Sequence, residues 1–286
     1  MSEQALDIVH QAVQALQNRG ATARASAATL ERLAATAGAK TSAAPAAAPE
    51  IRKLAPLAQV AAPAPQKVAP PQVARSGGGG KAERLAALSG PVLICAKCPQ
   101  LVASRTQVVF GVGNPDAEIM FIGEAPGADE DMVGEPFVGK AGQLLTKIIE
   151  TMGLRRSDVY IANVLKCRPN PRPGETDNRK PTPAELATCK PYLLQQIEII
   201  QPRVIVALGG TAVEGLLGED KVLITKQRGT WKEFHGIPVM PTYHPTYLLH
   251  NQSLAEKRHL WEDMLAVLER LGKPITEKQR GFFLPK

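Results

Sequence analysis

Four cysteines, a glutamate inside a Gly-Pro loop, an asparagine at the end of an apolar run and a histidine before a proline are the residues of this chain best suited to chemistry. The cysteines are Cys95, Cys98, Cys167 and Cys189, a C-x2-C pair followed by two separated single thiols. A C-x-x-C pair points to metal. Four thiolates suit zinc and an iron–sulfur cluster equally well on ligand count. Structural zinc sites more often carry two paired knuckles, so the unpaired Cys167 and Cys189 tilt the reading toward a cluster; the plain alternative is four unrelated buried thiols. Glu124 lies in GEAPGADED, Gly123–Asp131, where Gly and Pro force a tight loop and let a ligand approach the backbone. Alone, such a loop is more often just a turn, and the absence of GKS or GKT excludes a phosphate-binding P-loop. Asn163 opens NVLKCRPNP; its amide either forms a turn or presents donors and an acceptor in fixed geometry. His244, in YHPTYLLH, is held extended by Pro245. His235, His250 and His259 take the plain loop or surface reading.

These residues need elements to position them. Ala117–Gly123, AEIMFIG, is a short apolar run ended by glycine and reads as a buried strand. Val159–Val164 is a second strand, and Arg203–Leu208 a third, closed by Gly209-Gly210. Trp231–Phe234 and Ile237–Thr242 flank His235-Gly236 as a hairpin. Helices are expected over Lys140–Met152, Pro183–Gln201, from Gly210 to Leu217, and over Leu254–Leu271, where Leu260, Met264, Leu265, Leu268 and Leu271 share a face. Strands alternating with helices predict an α/β fold, a three-layer αβα arrangement on a central, mainly parallel four-stranded sheet. Ligands of such sheets bind at the carboxyl ends of the strands, where Glu124, Asn163 and His244 fall.

Composition divides the 286-residue chain. Residues 1–80 are rich in Ala, Pro, Gln and Ser and hold no Phe, Trp, Tyr or Cys, so they bury little apolar surface against the entropy of ordering. The expected organisation is a disordered or weakly helical Ala/Pro-rich tail and linker over 1–84, one domain over 85–273 and a C-terminal tail over 274–286. Residues 4–18 have amphipathic spacing, Ala28–Ala37 makes a second short helix, and Gly77–Gly80 is a flexible joint. A docking peptide for a protein partner is the sharper reading of the tail. The net charge is +7, of which +4 comes from eight Lys or Arg against four Asp or Glu in residues 1–80; the rest is only mildly basic, compatible with nucleic acid without requiring it. No run reaches the roughly 20 apolar residues of a membrane span. Glu3 and Asp7 stand where a secretory signal carries basic residues. The expected compartment is the cytoplasm, where thiols stay reduced.

Taken in order, Cys95-x-x-Cys98, GEAPGADED, GEPFVGKAGQLL (Gly134–Leu145), NVLKCRP, Cys189, RVIVALGGTA (Arg203–Ala212) and HPTYLL (His244–Leu249) resemble the family 4 uracil-DNA glycosylases, the iron–sulfur branch of that superfamily, found in bacteria and archaea. The resemblance runs from about Cys95 to Leu271, and the ordered set is far more specific than any one motif. It implies a DNA-repair enzyme, a monomer of the bacterial cytoplasm, that flips uracil out of DNA and hydrolyses its N-glycosidic bond to leave an abasic site. Cys95, Cys98, Cys167 and Cys189 would hold a structural [4Fe-4S] cluster. Glu124, Ala125 and Pro126 would border the uracil and the attacking water, with Glu130 also at the substrate. Phe137 would stack on the extruded base, Asn163 would read its pairing edge, and His244 would face uracil O2. Glu124, flanked by backbone amides, is expected to stay ionised.

Three departures stand out. Thr246 follows Pro245 where the family often has Ser. The stretch NPRPGETDNRKPTP between Cys167 and Cys189 is longer than the family pattern and is expected as an exposed loop near the cluster; it has no His, unlike a relative that traps uracil-DNA covalently, so ordinary turnover is expected. The N-terminal tail lies outside the resemblance. Two rival readings are a zinc-bearing nucleic-acid protein without catalysis and a superfamily enzyme acting on hypoxanthine or a mismatched pyrimidine; Asn163 and Phe137 favour uracil over both.

Overall fold

The computed structural model describes residues 79–169 and 179–284. The helices expected in the tail and most of the polar, Pro-rich stretch after Cys167 lie outside the described residues.

A 13-residue helix, α1 (Lys81–Leu93), leads into the C-x2-C loop, and the one-turn α2 (Pro99–Val102) starts directly after Cys98. Then follow β1 (Val112–Gly113), β2 (Ile119–Gly123), α3 (Ala128–Val133), α4 (Lys140–Thr151), a 3-10 turn at Arg156–Asp158, and β3 (Tyr160–Asn163). The second half comprises α5 (Pro183–Ile200), β4 (Val204–Leu208), α6 (Gly210–Leu217), α7 (Ile224–Gln227), β5 (Lys232–Phe234), β6 (Ile237–Thr242), α8 (Pro245–His250), α9 (Leu254–Arg270) and α10 (Glu277–Arg280). No helix among the described residues is long and apolar enough to cross a membrane.

The sheet has six strands in the order β1-β3-β2-β4-β6-β5, not four. The four expected strands, β3, β2, β4 and β6, are its parallel centre, and β1 and β5 close the edges antiparallel. β1 is two residues in a glycine-flanked stretch and offers no periodicity to read. β5 is the first arm of the expected hairpin, in register Phe234↔Ile237, and extends the same sheet.

Successive side chains of a strand face opposite sides, and the two cores follow from that. Ile119 and Phe121 of β2, Ile161, Val206 and Met240 face α4 and α9, packing on Leu145, Ile149, Trp261, Met264 and Leu268. Met120 and Ile122, with Ala162, Ile205, Ala207 and Val239, face α5, α6 and α1. This is the expected three-layer αβα architecture. The parallel strands finish level: Gly123 pairs with Asn163, and Leu208 with Thr242. The chain passes from β2 to β3 on one side and then to β4 on the other, so the carboxyl ends beside β2 form the switch point where open α/β sheets bind ligands.

Both borders of the expected domain carry packed residues. Lys81 Nζ donates to the Ile200 carbonyl at 2.8 Å. Beyond α9 the chain folds back: Trp261 Nε1 donates to the Gln279 carbonyl at 2.6 Å, and Phe282 meets the Trp261 ring edge-on at 5.7 Å.

Candidate active site

The loops after β2, β3 and β6 enclose a cavity of about 630 Å³. Glu124, Ala125, Glu130, Phe137, Asn163 and His244 all line it, so motifs up to 120 residues apart converge. Pro126 is buried and is not part of the lining. Lys140, Arg168 and His250 also line it; His250 ends α8 and belongs to the pocket rather than to an unrelated loop.

Asn163 is the last residue of β3 and only 2% exposed. Its Oδ1 is buried with no hydrogen-bond partner. A buried acceptor left unpaired costs about 1–3 kcal/mol, so this amide is set for a donor. Gly123, level with it on β2, leaves the room: a Cβ there would lie 2.4 Å from Asn163 Oδ1 and 2.5 Å from the Phe137 ring. Phe137 is buried and has a left-handed backbone, φ 55°. Its ring lies 5.6 Å from that of His244, tilted 34°.

His244 is the N-cap of α8, and its Nδ1 accepts from the Thr246 backbone N–H at 3.2 Å. A neutral imidazole that accepts at Nδ1 carries its proton on Nε2, which leaves Nε2 as a donor. The residue keeps some surface open, but its ring sits deep among pocket groups, and burial pushes its pKa down to about 4. The imidazole is therefore neutral at physiological pH. Its strand is braced from behind, where Thr242 Oγ1 donates to Asp263 of α9 at 2.6 Å and Arg228 pairs with the same carboxylate. Gly209, φ 88°, lets the β4–α6 turn pass close to His244, 3.1 Å from where a glycine Cβ would stand to His244 Cβ.

Burial raises the Glu124 pKa; the Thr211 hydroxyl and the Lys180 ammonium work against that rise. The partner that favours the carboxylate is thus Thr211, in the first turn of α6, rather than the flanking amides expected from the loop sequence. Glu130 uses both oxygens on backbone: Oε2 accepts from Gly127 N at 3.0 Å, and Oε1 from Val138 N at 2.9 Å and Gly139 N at 3.0 Å. It ties the Gly-Pro loop to the Phe137 loop.

The cysteines gather beside this pocket. Cys167 and Cys189 are buried in a third apolar cluster with Val92, Leu101, Val108 and Leu165, and Cys98 and Ala125 pack against it, so Ala125 touches both the pocket and the thiols. Three sulfurs receive donors: Arg105 Nη1 reaches Cys167 Sγ at 2.8 Å, Lys166 N reaches Cys189 Sγ at 3.2 Å, and Tyr192 Oη reaches Cys95 Sγ at 3.4 Å. Burial pushes the Cys189 thiol up to about 11 and lifts those of Cys98 and Cys167. Lys166 is fully buried, its ammonium donating to Gln196 Oε1 at 2.5 Å. Among the described residues, no three His, Cys, Asp or Glu side chains are placed to share one metal ion. Glu185 links the elements that carry the thiols: it is the N3 residue of α5, pairs with Arg179 at 2.5 Å and accepts from Gln100 of α2 at 3.0 Å.

Sequence reasoning passed over Thr211, Lys166, Arg105 and Arg156, all of which act through partners distant in the chain. The start of α8 carried a readable signal, since Pro245 directly after His244 is the N1 proline of a helix.

Comparison with known proteins agrees with this geometry. The model of the uracil DNA glycosylase superfamily matches residues 110–265. The type-4 uracil-DNA glycosylase of Thermotoga maritima is 50% identical over 183 residues, covering 64% of this chain and 92% of that protein. That of Archaeoglobus fulgidus is 44% identical over 199 residues, covering 67% and 94%. A type-5 uracil-DNA glycosylase of Thermus thermophilus is more distant, 32% identical over 154 residues. With a relative of half-identical sequence covered almost from end to end, the chain belongs to the type-4 uracil-DNA glycosylases of the uracil DNA glycosylase superfamily.

Proposed function

We propose that this chain is a DNA-repair hydrolase that draws uracil out of DNA into the cavity beside β2 and β3 and breaks its N-glycosidic bond, leaving an abasic site. The observation that carries this reading is the unpaired, buried Oδ1 of Asn163. Uracil N3–H is the donor that acceptor lacks, and the amide NH2 is free to donate to O4; cytosine reverses both groups. Extrusion costs a few kcal/mol of unstacking, and stacking on Phe137 returns part of it, about 1–3 kcal/mol for a base on an aromatic ring.

The bond breaks toward a sugar cation and a uracil anion. The neutral His244, with its proton on Nε2, donates to O2 as charge develops there. Glu124 as carboxylate orients water and favours the sugar cation, with the Thr211 hydroxyl holding it. Lys140 and Arg168 stand in the lining beside the acids Glu124, Asp129 and Glu130, and are the cations there suited to DNA phosphates.

Cys95, Cys98, Cys167 and Cys189 are proposed as the ligands of a [4Fe-4S] cluster. The donor set fits: Cys98, Cys167 and Cys189 share one apolar cluster and Cys95 lies near enough to act on all three, and four thiolates suit a cubane that gives each iron its own. Burial pushes the Lys166 ammonium down to about 8, and a thiolate at Cys189 would work against that fall, so Lys166 is a buried donor suited to an anionic group beside Cys189. When bound, the cluster supplies a cross-link between the α1–α2 loop, the segment after β3, and α5. Residues 1–80 are proposed to be dispensable for excision, so that a chain beginning near Lys81 keeps turnover, and available to a protein partner, with the enzyme acting as a monomer.

The test is incubation of the purified protein with a single-uracil oligonucleotide, followed by alkali to cleave abasic sites. Strand cleavage at uracil, and none at cytosine or thymine in the same position, is expected; an uncleaved uracil strand would overturn the reading.

A further inference from the structure

We propose that Arg156 is a positioning residue for base stacking, acting with Glu130 to hold the Phe137 backbone in its left-handed conformation; this rests on the stacking role given to Phe137 above. The buried Phe137 has φ 55°, a region that side-chain-bearing residues leave unless their surroundings over-determine them. The peptides on both sides of it are held. On the N-terminal side, Arg156 Nη2 donates to the Pro136 carbonyl at 2.6 Å. On the C-terminal side, Glu130 Oε1 accepts from Val138 N and Gly139 N. With those peptide planes set, the torsions of Phe137 have little freedom, and its ring is carried into the pocket lining, 5.6 Å from the ring of His244.

The third constraint comes from α4. Gly142 lies so close under Phe137 that a Cβ there would stand 1.9 Å from the Phe137 carbonyl carbon and oxygen. Thr146, one turn on, donates from Oγ1 to the Gly142 carbonyl at 3.0 Å and receives Arg156 Nη1 at 3.3 Å. One guanidinium therefore fixes both the Pro136 carbonyl and the helix on which the Phe137 peptide rests. Arg156 is half-buried, in the 3-10 turn that leads into β3, the strand that ends at Asn163. It is not one of the pocket-lining residues and acts through the Pro136 carbonyl, on the peptide that precedes Phe137, which is one. The fork geometry matters, because two nitrogens reach two acceptors on different elements.

The experiment is a double-mutant cycle on the full chain. Single-turnover excision rate and substrate Kd are measured on a uracil duplex for wild type, Arg156→Met, Phe137→Ala, the pair together, and Arg156→Lys in both backgrounds. Arg156→Met is expected to slow excision roughly tenfold, a fraction of what a misplaced reacting group can cost, while Kd moves less. In the Phe137→Ala background the same change should add nothing, because the ring it positions is gone. Arg156→Lys should recover part of the rate, since an ammonium can still donate to the Pro136 carbonyl. Where Arg156→Met fails to fold, the lysine variant carries the comparison with a smaller loss, again absent without the ring. The same fold-loss in both backgrounds, or a wild-type rate in Arg156→Met, overturns the inference. A Phe137→Ala enzyme with wild-type rate overturns the stacking reading and this inference with it, whereas a slow Phe137→Ala enzyme with an independent Arg156 effect overturns only the inference.

Discussion

A single methyl group at position 123 should close the uracil pocket. Gly123 ends β2 level with Asn163, and a Cβ there would stand 2.4 Å from Asn163 Oδ1 and 2.5 and 2.7 Å from two atoms of the Phe137 ring. Ordinary contact needs about 3.5 Å, so the amide and the ring must each retreat by roughly 1 Å. Asn163 is 2% and Phe137 6% exposed, and the open space beside both is the pocket they line, so any retreat moves them within the base site itself. Overpacking of this kind costs about 1–3 kcal/mol of stability, which leaves a folded protein. The larger effect is on chemistry, because a displacement of about 1 Å of groups that align the reacting base costs on the order of 10²-fold in rate. The assay is single-turnover excision from a uracil duplex at saturating enzyme, beside a thermal melt. Gly123→Ala is expected to melt slightly lower and to excise uracil about 10²-fold more slowly. A variant that folds and excises at the wild-type rate would show that Asn163 and Phe137 do not define the base site, and would refute the reasoning.

Asn163→Asp should weaken uracil excision strongly while leaving the fold in place: the two side chains are nearly isosteric, but a carboxylate cannot donate to O4, and some cytosine excision is expected; single-turnover rates on paired uracil and cytosine strands check it. His244→Ala should lower the chemical step by roughly 10²–10³ with little change in DNA binding, since its contact strengthens only as charge develops on O2; equal loss in Kd and none in single-turnover rate would contradict it. The pH profile follows from two directions. His244 is pushed down to about 4, so no inflection belongs to it near its ordinary 6.5, while the Glu124 pKa is raised, so activity should fall on the acid side at a pH above the ordinary glutamate value as the carboxylate protonates. That limb should vanish in Glu124→Gln, measured as log rate against pH on the residual activity. Protein purified without oxygen should absorb broadly near roughly 400 nm and hold about four iron and four sulfide per chain, and Cys95→Ala or Cys167→Ala should lower its melting temperature more than it alters single-turnover rate in the folded fraction; stoichiometric zinc would sink the cluster.

The central strands were legible because a parallel strand buried on both faces is a short apolar run, and glycine marks where it stops: IMFIG, and VIVAL before Gly209. Their carboxyl ends coincide in register, which is why the motifs at Glu124, Asn163 and His244 fall into one pocket without any long-range information. The two edge strands carry less: β1 has two residues, and β5 shows only as a hairpin arm whose membership in the sheet depends on β6 meeting β4.

The residues that set the site without touching the base were not legible, and the reason is physical. Lys166 sits between Leu165 and Cys167, and nothing in its type announces burial; it becomes a buried charge only when α5 brings Gln196 and Cys189 over it. Thr211 reads as an ordinary first-turn helix residue until the β2 loop places Glu124 against it. Arg156 reads as a surface arginine in a turn, and becomes a fork between Pro136 and Thr146 only when β3 carries it beneath α4. Groups that contact a base must present one particular edge, so their types are constrained at their own positions. Groups that hold a backbone peptide need only a donor or an acceptor in the right place, which many sequences can supply from many positions. The pattern of exacting residues at strand ends therefore specifies the reaction, while the precision with which Phe137 and Asn163 are set beside Gly123 in the pocket lining is decided by partners whose roles exist only in the folded chain.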